Sequence, residues 1–246
     1  MNKLSQKTSF DFLNINPSDI STDSSLTNFS GKVIHFINTY NLALAKESTN
    51  YFHSLQSGNS VCMIDSFALK LFLRLRYRKE IFQIRGIDFL RMILQNKGIA
   101  HIFICPNIQN QKLLISGNFG ELKLETFQYY VPPIDDNIIF LQQEIEKNVN
   151  IKDGQFIWIG LGTPKQDLIA KELIALYPSV TIVCIGAALE IFTGQRKEVP
   201  ISMQKIGLEW FFRFVQEPRR LFSRYFIFPW KLAPFLFSIN FREKLL

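Results

Sequence analysis

Two stretches of the chain carry residues whose types and spacing could do chemistry. In the first, the apolar run 155–159 leads into Gly160-Leu161-Gly162-Thr163-Pro164-Lys165-Gln166, and a helical pattern follows over 167–177. Many α/β proteins hold a phosphate at such a turn, because the first N–H groups of a helix lack internal partners and the helix dipole adds partial positive charge. Thr163, Pro164 and Gln166 equally fit the positions of a capping box that needs no ligand. Both interpretations stay open on local grounds.

The second stretch centres on Asp65, which follows the apolar strand-like residues 61–64. A carboxylate at the end of a buried strand is placed to act as a general base. Asp65 would equally serve as the N-cap of a helix that begins near Phe67, and Asp88 has the same ambiguity. The pair Asp135-Asp136 is expected to start the next helix, and a metal-binding role is disfavoured.

Other site chemistries find little support in the sequence. The three histidines lie far apart without ligand spacing, so we predict no metal site. Gly160-x-Gly162 lacks the third glycine of the dinucleotide fingerprint, which argues against a nicotinamide enzyme. The chain has no serine nucleophile elbow. We therefore predict no metal and no cofactor.

The elements that must position these residues alternate between strand and helix. Buried strand-like runs separated by helical patterns predict an α/β fold with a Rossmann-like, doubly wound and mostly parallel sheet. Ligands in such folds bind at the carboxyl ends of the strands. Thr39, Asp65, Gly160–Gly162 and Gly186 all fall at predicted strand ends. The strand-like runs lie at 32–37, 61–64, 99–104, 122–130, 155–159 and 180–185.

The composition divides the chain of 246 residues into three parts. Residues 1–30 are rich in Ser, Asn, Asp and Thr and are expected to be a loose leader. Residues 31–199 form the predicted α/β core, and residues 200–246 a helical, basic and aromatic appendage. Of the formal net charge of +7, residues 195–246 contribute +6. A basic tail on a near-neutral body indicates an anionic partner, either nucleic acid or a membrane surface.

A helical wheel of residues 219–228 places Arg219, Arg220 and Arg224 on one arc and apolar side chains on the other. Such a helix can lie in a membrane interface with its arginines at the headgroups. The alternative is an ordinary helix that docks its aromatic face on the core, and the charge asymmetry favours the interface. No apolar window is long enough to span a bilayer. The three cysteines lie at strand-like runs and show no CxxC spacing, which is typical of reduced thiols in the cytoplasm. Together these features predict a cytoplasmic protein at the membrane surface.

Several sequence blocks resemble one known family. They are Gly160 to Asp167, Gly186-Ala187-Ala188-Leu189-Glu190, Gly207-Leu208-Glu209-Trp210 and Gln216-Glu217-Pro218-Arg219-Arg220-Leu221, with Asp65 and Arg85-Gly86-Ile87-Asp88 upstream. In this order they resemble the WecG/TagA/CpsF family of bacterial glycosyltransferases, over roughly residues 32–226.

The resemblance implies an inverting transfer of a sugar, N-acetylmannosamine-like or a related hexose, from a UDP-sugar to a polyprenyl-diphosphate-linked sugar. The reaction would take place on the inner face of the cytoplasmic membrane, in cell-surface polysaccharide assembly. The implied partners are the donor, the lipid-linked acceptor, an anionic membrane surface and further copies of the chain, without nucleic acid.

The resemblance also implies roles for individual residues. Asp65 would be the catalytic base, with Thr39 beside it. The donor would contact Asn41, Arg85, Asp88, Gly160, Gly162, Thr163, Gln166 and Gly186. The diphosphate and acceptor would meet Arg213, Arg219, Arg220 and Arg224.

This chain departs from the family pattern at several positions near the expected nucleotide pocket. Ser66 replaces the usual glycine after the aspartate, and Cys105-Pro106-Asn107 replaces a glycine pair. Ala187 and Glu190 replace a glycine and an aspartate. The alternative function is a non-catalytic, nucleotide-binding α/β protein that its basic tail recruits to the membrane. A nucleic-acid binder is disfavoured because the chain has no recognised RNA- or DNA-binding motif.

Overall fold

A computed structural model describes residues 9–20, 28–96, 98–117 and 127–244. These residues form one parallel sheet of eight strands in the order β5-β4-β6-β7-β2-β3-β1-β8. The strands are β1 (Ser9–Leu13), β2 (Val33–Ile37), β3 (Ser60–Ile64), β4 (His101–Ile104), β5 (Phe127–Tyr130), β6 (Phe156–Ile159), β7 (Thr181–Cys184) and β8 (Asn240–Lys244).

Helices connect most successive strands, and five helices lie between β7 and β8. They are α1 (Thr39–Glu47), α2 (Thr49–Leu55), α3 (Phe67–Tyr77), α4 (Gly86–Leu94), α5 (Ile108–Ser116), α6 (Ile138–Asn148), α7 (Lys165–Leu176), α8 (Ala188–Phe192), α9 (Ile201–Lys205), α10 (Glu209–Gln216), α11 (Pro218–Phe222) and α12 (Phe228–Ser238). A 3-10 turn at Pro17–Ile20 and a π-helical turn at Ser223–Ile227 complete the described elements.

Helices cover both faces of the sheet, which explains why most residues of its central strands are apolar. On one face, α4, α5 and α8 pack against strand residues such as Met63 and Trp158. On the other face, α1, α2, α3 and α12 cover one half of the sheet, and α6 and α7 cover the other. The predicted α/β, doubly wound parallel fold is confirmed.

The two ends of the chain pair with each other in the sheet. Residues 9–20 were expected to belong to a loose leader, yet β1 pairs with β3 and with β8, in register from Ser9↔Asn240 to Leu13↔Lys244. Phe10 and Phe12 of β1 are buried. The sequence between 200 and 246 was expected to be helical, yet residues Asn240–Lys244 form strand β8 of the sheet. Residues 1–8 and 21–27 of the predicted leader lie outside the described residues.

The order of the strands brings the predicted site residues to one place. Strands β6, β7, β2 and β3 are neighbours, and β2 and β3 run in register with Ile37 opposite Ile64. Their carboxyl ends form what we call the carboxyl edge. Gly160, Gly186, Thr39 and Asp65 therefore follow four adjacent strands along this edge.

Candidate active site

Asp65 is the first residue after β3 and is partly buried at the carboxyl edge. Its backbone N–H donates to the Ile37 carbonyl oxygen at 3.0 Å, which joins Asp65 to the end of β2. Thr39, two residues after Ile37, is the first residue of α1. The N-cap of α3 is Ser66, whose Oγ accepts from the Leu69 N–H at 3.4 Å. The alternative interpretation of Asp65 as the helix cap is therefore wrong, and the Asp65 carboxylate does not cap α3.

The surroundings of Asp65 favour a neutral carboxyl more than water does. Burial raises its pKa to about 6, and the negative charge of Glu209 adds to the increase. The positive charges of Arg213 and Arg85 and a hydrogen bond from the Gly86 backbone act in the opposite direction. A carboxylate with a pKa near 6 is a stronger base than an exposed aspartate and is still ionised at neutral pH.

Arg85 organises the acidic groups beside Asp65. Its Nε and one terminal nitrogen bind the two carboxylate oxygens of Asp88, each at 2.6 Å. The other terminal nitrogen donates to Glu209 Oε1 at 3.2 Å, and the terminal nitrogen that binds Asp88 also lies 3.5 Å from Glu198 Oε1. Arg85 is thus neutralised by protein carboxylates, and Asp88 holds its guanidinium in a fixed plane. Arg85 and Asp88 are two of the eight predicted donor contacts, and Asp88 also supports Arg85, a role that was not expected from the sequence.

Ion pairs connect the residues after Pro200, which we call the C-terminal segment (residues 200–244), to the core at this site. Besides the Arg85–Glu209 pair, Arg196 bridges Glu190 of α8 and Glu217 at 2.9 Å each. Glu217 also pairs with Arg220, one of the predicted diphosphate contacts. Sequence reasoning missed Arg196 and Glu209 as organising residues, although Glu209 stands in one of the family blocks.

The C-terminal segment also packs on α3 next to Asp65. Gly207 adopts φ +75°, and a Cβ at this position would lie 2.3 Å from the Phe67 ring. Only glycine fits this close approach. The contact holds the start of α10, and with it Glu209 and Arg213, over the first turn of α3.

The loop Gly160–Gln166 does not form the predicted capping box. Helix α7 begins at Lys165 and Pro164 stands at the cap position without a side-chain hydrogen bond. The backbone N–H of Gln166 donates to the Gly162 carbonyl at 3.0 Å, and Gln166 Oε1 accepts from the Gly162 N–H at 3.1 Å. The loop is closed by Gln166 and Gly162, because the side chain of Thr163 is engaged elsewhere.

Thr163 instead joins a buried polar network centred on Asp167. Its hydroxyl donates to Asp167 Oδ2 at 3.0 Å, and the Tyr51 hydroxyl donates to the same oxygen at 3.5 Å. The other carboxylate oxygen lies 2.7 Å from His35 Nδ1. The sequence held two signals for this network, a histidine inside an apolar strand and an aspartate four residues after Thr163.

Asn41 extends this network to α1. Its amide nitrogen donates to the Tyr51 hydroxyl at 2.8 Å and to Thr163 Oγ1 at 3.3 Å, while its oxygen accepts from the Asn38 N–H. Asn41 is 3% exposed. Its side chain therefore positions the loop through Thr163, which is a different use from the direct donor contact expected from the sequence.

Two glycines shape the space in front of the loop. Gly162 has φ +81°, and nothing lies within 4 Å of the point where a Cβ would stand, so a ligand can approach this backbone closely. Gly186 has φ +49°, and a Cβ there would lie 3.3 Å from Gln166 Oε1. A Cβ at Gly160 would meet the Leu189 side chain at 2.9 Å. A side chain at Gly160 or Gly186 would therefore press on a neighbouring residue, whereas Gly162 is required for its left-handed backbone and leaves open space in front of the loop.

The fold brings three residues with metal-ligating atoms together although their sequence spacing gave no such signal. His35, Asp167 and Cys184 have ligand atoms within 4.8 Å of one another, and all three are buried. Asp167 is already hydrogen-bonded as described above, and Cys184 Sγ lies 3.7 Å from the Gln166 carbonyl. Burial raises the pKa of the Cys184 thiol, with the charge of Asp167 acting in the same direction. A neutral thiol in a hydrogen-bonded cluster is a poor metal ligand, and the expected absence of a metal stays a prediction.

The departures from the family pattern have structural roles here. Ser66 caps α3, as described above, and Asn107 caps α5 by accepting from the Asn110 N–H at 2.9 Å. Cys105 is buried, which raises the pKa of its thiol to about 12. Pro106 lies against the face of Gly160.

The predicted diphosphate contacts occupy different environments. Arg213 is half-buried and close enough to Asp65 to lower its pKa. Arg219 and Arg220 are exposed, and for Arg224 only the backbone is described. Arg213 therefore lies in a different environment from Arg219 and Arg220.

Aromatic side chains of the C-terminal segment cluster at the surface and are not buried in the core. The rings of Trp210, Phe214 and Phe222 each contact the ring of Phe226, with centroid separations of 5.2 to 6.4 Å. Trp210, Phe222 and Phe226 are each more than two-fifths exposed. Exposed apolar patches of this kind mark interaction surfaces. Within the described ranges, no helix has the length and apolar character needed to cross a bilayer.

Comparison with known proteins adds a family and a relative. The sequence model of the family described as "Glycosyl transferase WecG/TagA/CpsF family" matches residues 10–245, a range that includes all of β1 except Ser9 and all of β8. An N-acetylglucosaminyldiphosphoundecaprenol N-acetyl-beta-D-mannosaminyltransferase from Bacillus subtilis (strain 168) is 24% identical over 192 residues, which cover 77% of this chain and 73% of that protein.

Proposed function

Because this chain belongs to the WecG/TagA/CpsF family of glycosyl transferases, we propose that it transfers a sugar from a UDP-sugar to a sugar carried on a polyprenyl diphosphate. The relative from Bacillus subtilis bears a name that specifies an N-acetylmannosaminyl group and a diphosphoundecaprenol-linked acceptor. We extend the acceptor class to this chain and take an N-acetylmannosamine-like hexose as the first donor to test.

The observation that carries the proposal is the position and charge environment of Asp65. It follows a central strand, has no capping role, and has a pKa raised to about 6 beside Arg85 and Arg213. An ionised carboxylate with nearby arginines at the carboxyl edge fits a reaction that takes a proton from an alcohol and releases an anion.

In the proposed step, the Asp65 carboxylate accepts the proton of an acceptor hydroxyl. The hydroxyl oxygen forms a bond to C1 of the donor sugar as the bond from C1 to the UDP oxygen breaks. A single displacement of this kind inverts the anomeric configuration. Negative charge develops on UDP as it leaves, and arginine side chains can stabilise it without a metal. Arg213, whose charge acts on Asp65, is the first candidate, and Arg219, Arg220 and Arg224 belong to the same C-terminal segment. Thr39, which follows the neighbouring strand β2, is proposed to act beside the base.

The proposed place of action is the inner face of the cytoplasmic membrane. Support comes from the exposed aromatic cluster around Phe226 and from the net +6 charge of residues 195–246. Apolar side chains together with basic residues favour an anionic lipid surface. Such a location brings the site to a substrate that cannot leave the bilayer.

The proposal is tested by incubating the purified protein with a panel of UDP-sugars and a short-chain polyprenyl-diphosphate-N-acetylglucosamine acceptor. We expect mass spectrometry to detect an acceptor extended by one hexose unit, and NMR to show an inverted anomeric centre. UDP binding without transfer for every donor and acceptor combination would refute the proposal and favour a non-catalytic nucleotide-binding protein.

The pH dependence of transfer should report Asp65. As a base, Asp65 acts when deprotonated, so kcat/KM is expected to rise with pH through about 6 and then level off. Replacing Glu209 by glutamine removes a negative charge that raises this pKa, so the acidic limb should move to lower pH, toward the ordinary aspartate value of about 3.9.

The matched control is Glu190→Gln, which removes another arginine-paired carboxylate that is not among the charges acting on Asp65. Its pH profile should coincide with that of the wild-type protein. An unmoved acidic limb in Glu209→Gln would contradict the assignment of that limb to Asp65.

Gly186→Ala is expected to weaken donor binding. The new Cβ would press on Gln166 Oε1 and disturb the hydrogen bond that closes the loop to Gly162. Gly194→Ala is the matched control, because Gly194 has φ +75° but open space at the Cβ position. Both variants should lose about 1–2 kcal/mol of stability through the left-handed backbone. Only Gly186→Ala should raise the Kd for UDP in calorimetry, and equal Kd values would exclude a role for Gly186 in holding the loop.

A further inference from the structure

Helix α3 carries apolar side chains on the face that points away from the core. Its inward residues Leu69 and Leu73 are buried, as expected for a helix packed on a sheet. On the opposite side, Leu71 is 45% exposed and Leu75 is 70% exposed. At 100° per residue these two lie within about 40° of each other, with the exposed Ala68 continuing the same stripe. An ordinary surface helix presents polar residues there, so the stripe indicates an apolar partner.

Basic side chains border this apolar stripe. Residues 67–80 contain Lys70, Arg74, Arg76, Arg78 and Lys79 against the single acid Glu80, a net charge of +4. Arg74 and Arg78 are exposed on one flank of the stripe. An open surface hollow of about 560 Å³ is lined by Arg74, Leu75, Arg78, Lys79 and Glu80. Apolar and cationic groups are thus interleaved on one surface.

The C-terminal segment contacts α3 at both ends. Phe67 packs against Gly207 at the start of the helix, as described above. Near its end, Arg76 donates to the backbone carbonyls of Leu236 and Phe237. The Phe72 and Phe237 rings pack edge to face with centroids 5.7 Å apart, and Phe237 is itself 73% exposed. The apolar surface therefore continues from α3 onto α12.

We propose that α3, together with Phe237 of α12, is a second membrane-contact surface that inserts Leu71 and Leu75 among anionic phospholipids while Arg74 and Arg78 bind the headgroup phosphates. The positive charge of residues 67–80 favours an anionic bilayer as the partner of this surface. A second copy of this chain would place two surfaces of the same sign against each other, whereas an anionic bilayer supplies the complementary charge. Because α3 starts directly after Asp65 and Ser66, contact along α3 would fix the orientation of the site relative to the bilayer. This inference rests on the proposed action on a lipid-linked acceptor.

The test uses the full chain and measures co-sedimentation with vesicles of phosphatidylglycerol and phosphatidylcholine, compared with phosphatidylcholine alone. The variants are Leu71→Ser with Leu75→Ser, and separately Arg74→Gln with Arg78→Gln. The matched controls are Leu176→Ser, an exposed leucine at the end of α7, and Lys147→Gln, whose side chain is 76% exposed on α6. Circular dichroism checks that all variants fold.

We expect the wild-type protein and both controls to bind anionic vesicles and to bind neutral vesicles weakly. The leucine pair should bind anionic vesicles at least about tenfold more weakly. The arginine pair should lose about fivefold per residue and most of the salt dependence. Unchanged binding of both variants, or equal binding of the wild-type protein to neutral vesicles, would overturn the inference. So would a loss of self-association in the variants by sedimentation velocity, because a second copy would then be the occupant.

A transfer assay separates failure of this inference from failure of the proposed function. With a short, water-soluble acceptor, the α3 variants should keep wild-type turnover, since none of the substituted residues belongs to the active site. With the acceptor embedded in anionic vesicles, their turnover should fall about as much as their binding. Wild-type protein that transfers to neither acceptor would refute the proposed function, whereas variants that match the wild-type rate on vesicles would refute the role of α3 alone.

Discussion

Replacing Asp65 by asparagine is expected to abolish sugar transfer while leaving UDP binding unchanged. Asparagine has nearly the same shape but cannot take the proton of the acceptor hydroxyl. A positioned general base typically contributes about 10²–10⁴-fold to the rate, and a loss in this range is expected in kcat. The measurement is single-turnover transfer to the lipid-linked acceptor, with the Kd for UDP determined separately by calorimetry.

The environment of Asp65 makes this substitution well suited to isolate the base. Ser66 caps α3, so the variant should not fray that helix, and a burial-raised pKa means that a neutral side chain is tolerated there. Asp153→Asn is the control, since Asp153 is exposed in the turn before β6, at the end of that strand opposite to the carboxyl edge. Turnover within a few fold of wild type for Asp65→Asn would rule out Asp65 as the base.

Replacing Asp167 by alanine is expected to destabilise the fold by about 3–5 kcal/mol. The substitution leaves His35, Thr163 and the Tyr51 hydroxyl without their acceptor. Each buried polar group that loses its partner costs about 1–3 kcal/mol. Because a whole domain is stable by only about 5–15 kcal/mol, the midpoint of urea unfolding should fall clearly.

Asp167→Ala should also loosen the loop Gly160–Gln166, the predicted donor-binding loop. Thr163 links Asp167 to Asn41 and to Gln166, so UDP affinity is expected to fall at temperatures where the variant is still folded. Asp167→Asn should be milder in both measurements, because its amide oxygen still accepts one hydrogen bond. Asp11→Ala breaks an ion pair with Arg242 at the exposed sheet edge and should cost at most about 1 kcal/mol. Equal effects of Asp167→Ala and Asp11→Ala would show that the buried network adds nothing to stability.

Local sequence patterns predicted the central part of the fold. The apolar runs at 61–64 and 155–159 are strands of the sheet, and the pattern at 138–148 is helix α6. These signals depend on the spacing of apolar residues within one element, and the burial of strands under helices on both faces preserves that spacing. The positions of Asp65 and Gly160 at strand ends followed from the same patterns.

Pairings between distant residues were beyond such patterns. Strands β1 and β8 are joined across 231 residues, and β1 is a five-residue strand next to a polar stretch. Whether such a segment is a strand depends on a partner from the other end of the chain. The predicted capping box failed for a related reason. Thr163 has the right type for a cap, but Asp167 and Asn41 engage its hydroxyl in the folded protein.

The sequence by itself determined which residues stand at the carboxyl edge: Asp65 and Thr39 after their strands, and the glycine loop before α7. Only the tertiary structure decided what surrounds them. The pairing of Arg85 with Glu209 spans 124 residues, and it brings Arg213 and a second carboxylate to Asp65. A pKa near 6 is a property of that assembly, since burial and the charges of neighbours have no local sequence pattern. The chemistry available to Asp65 therefore depends on how the C-terminal segment packs on the first turn of α3.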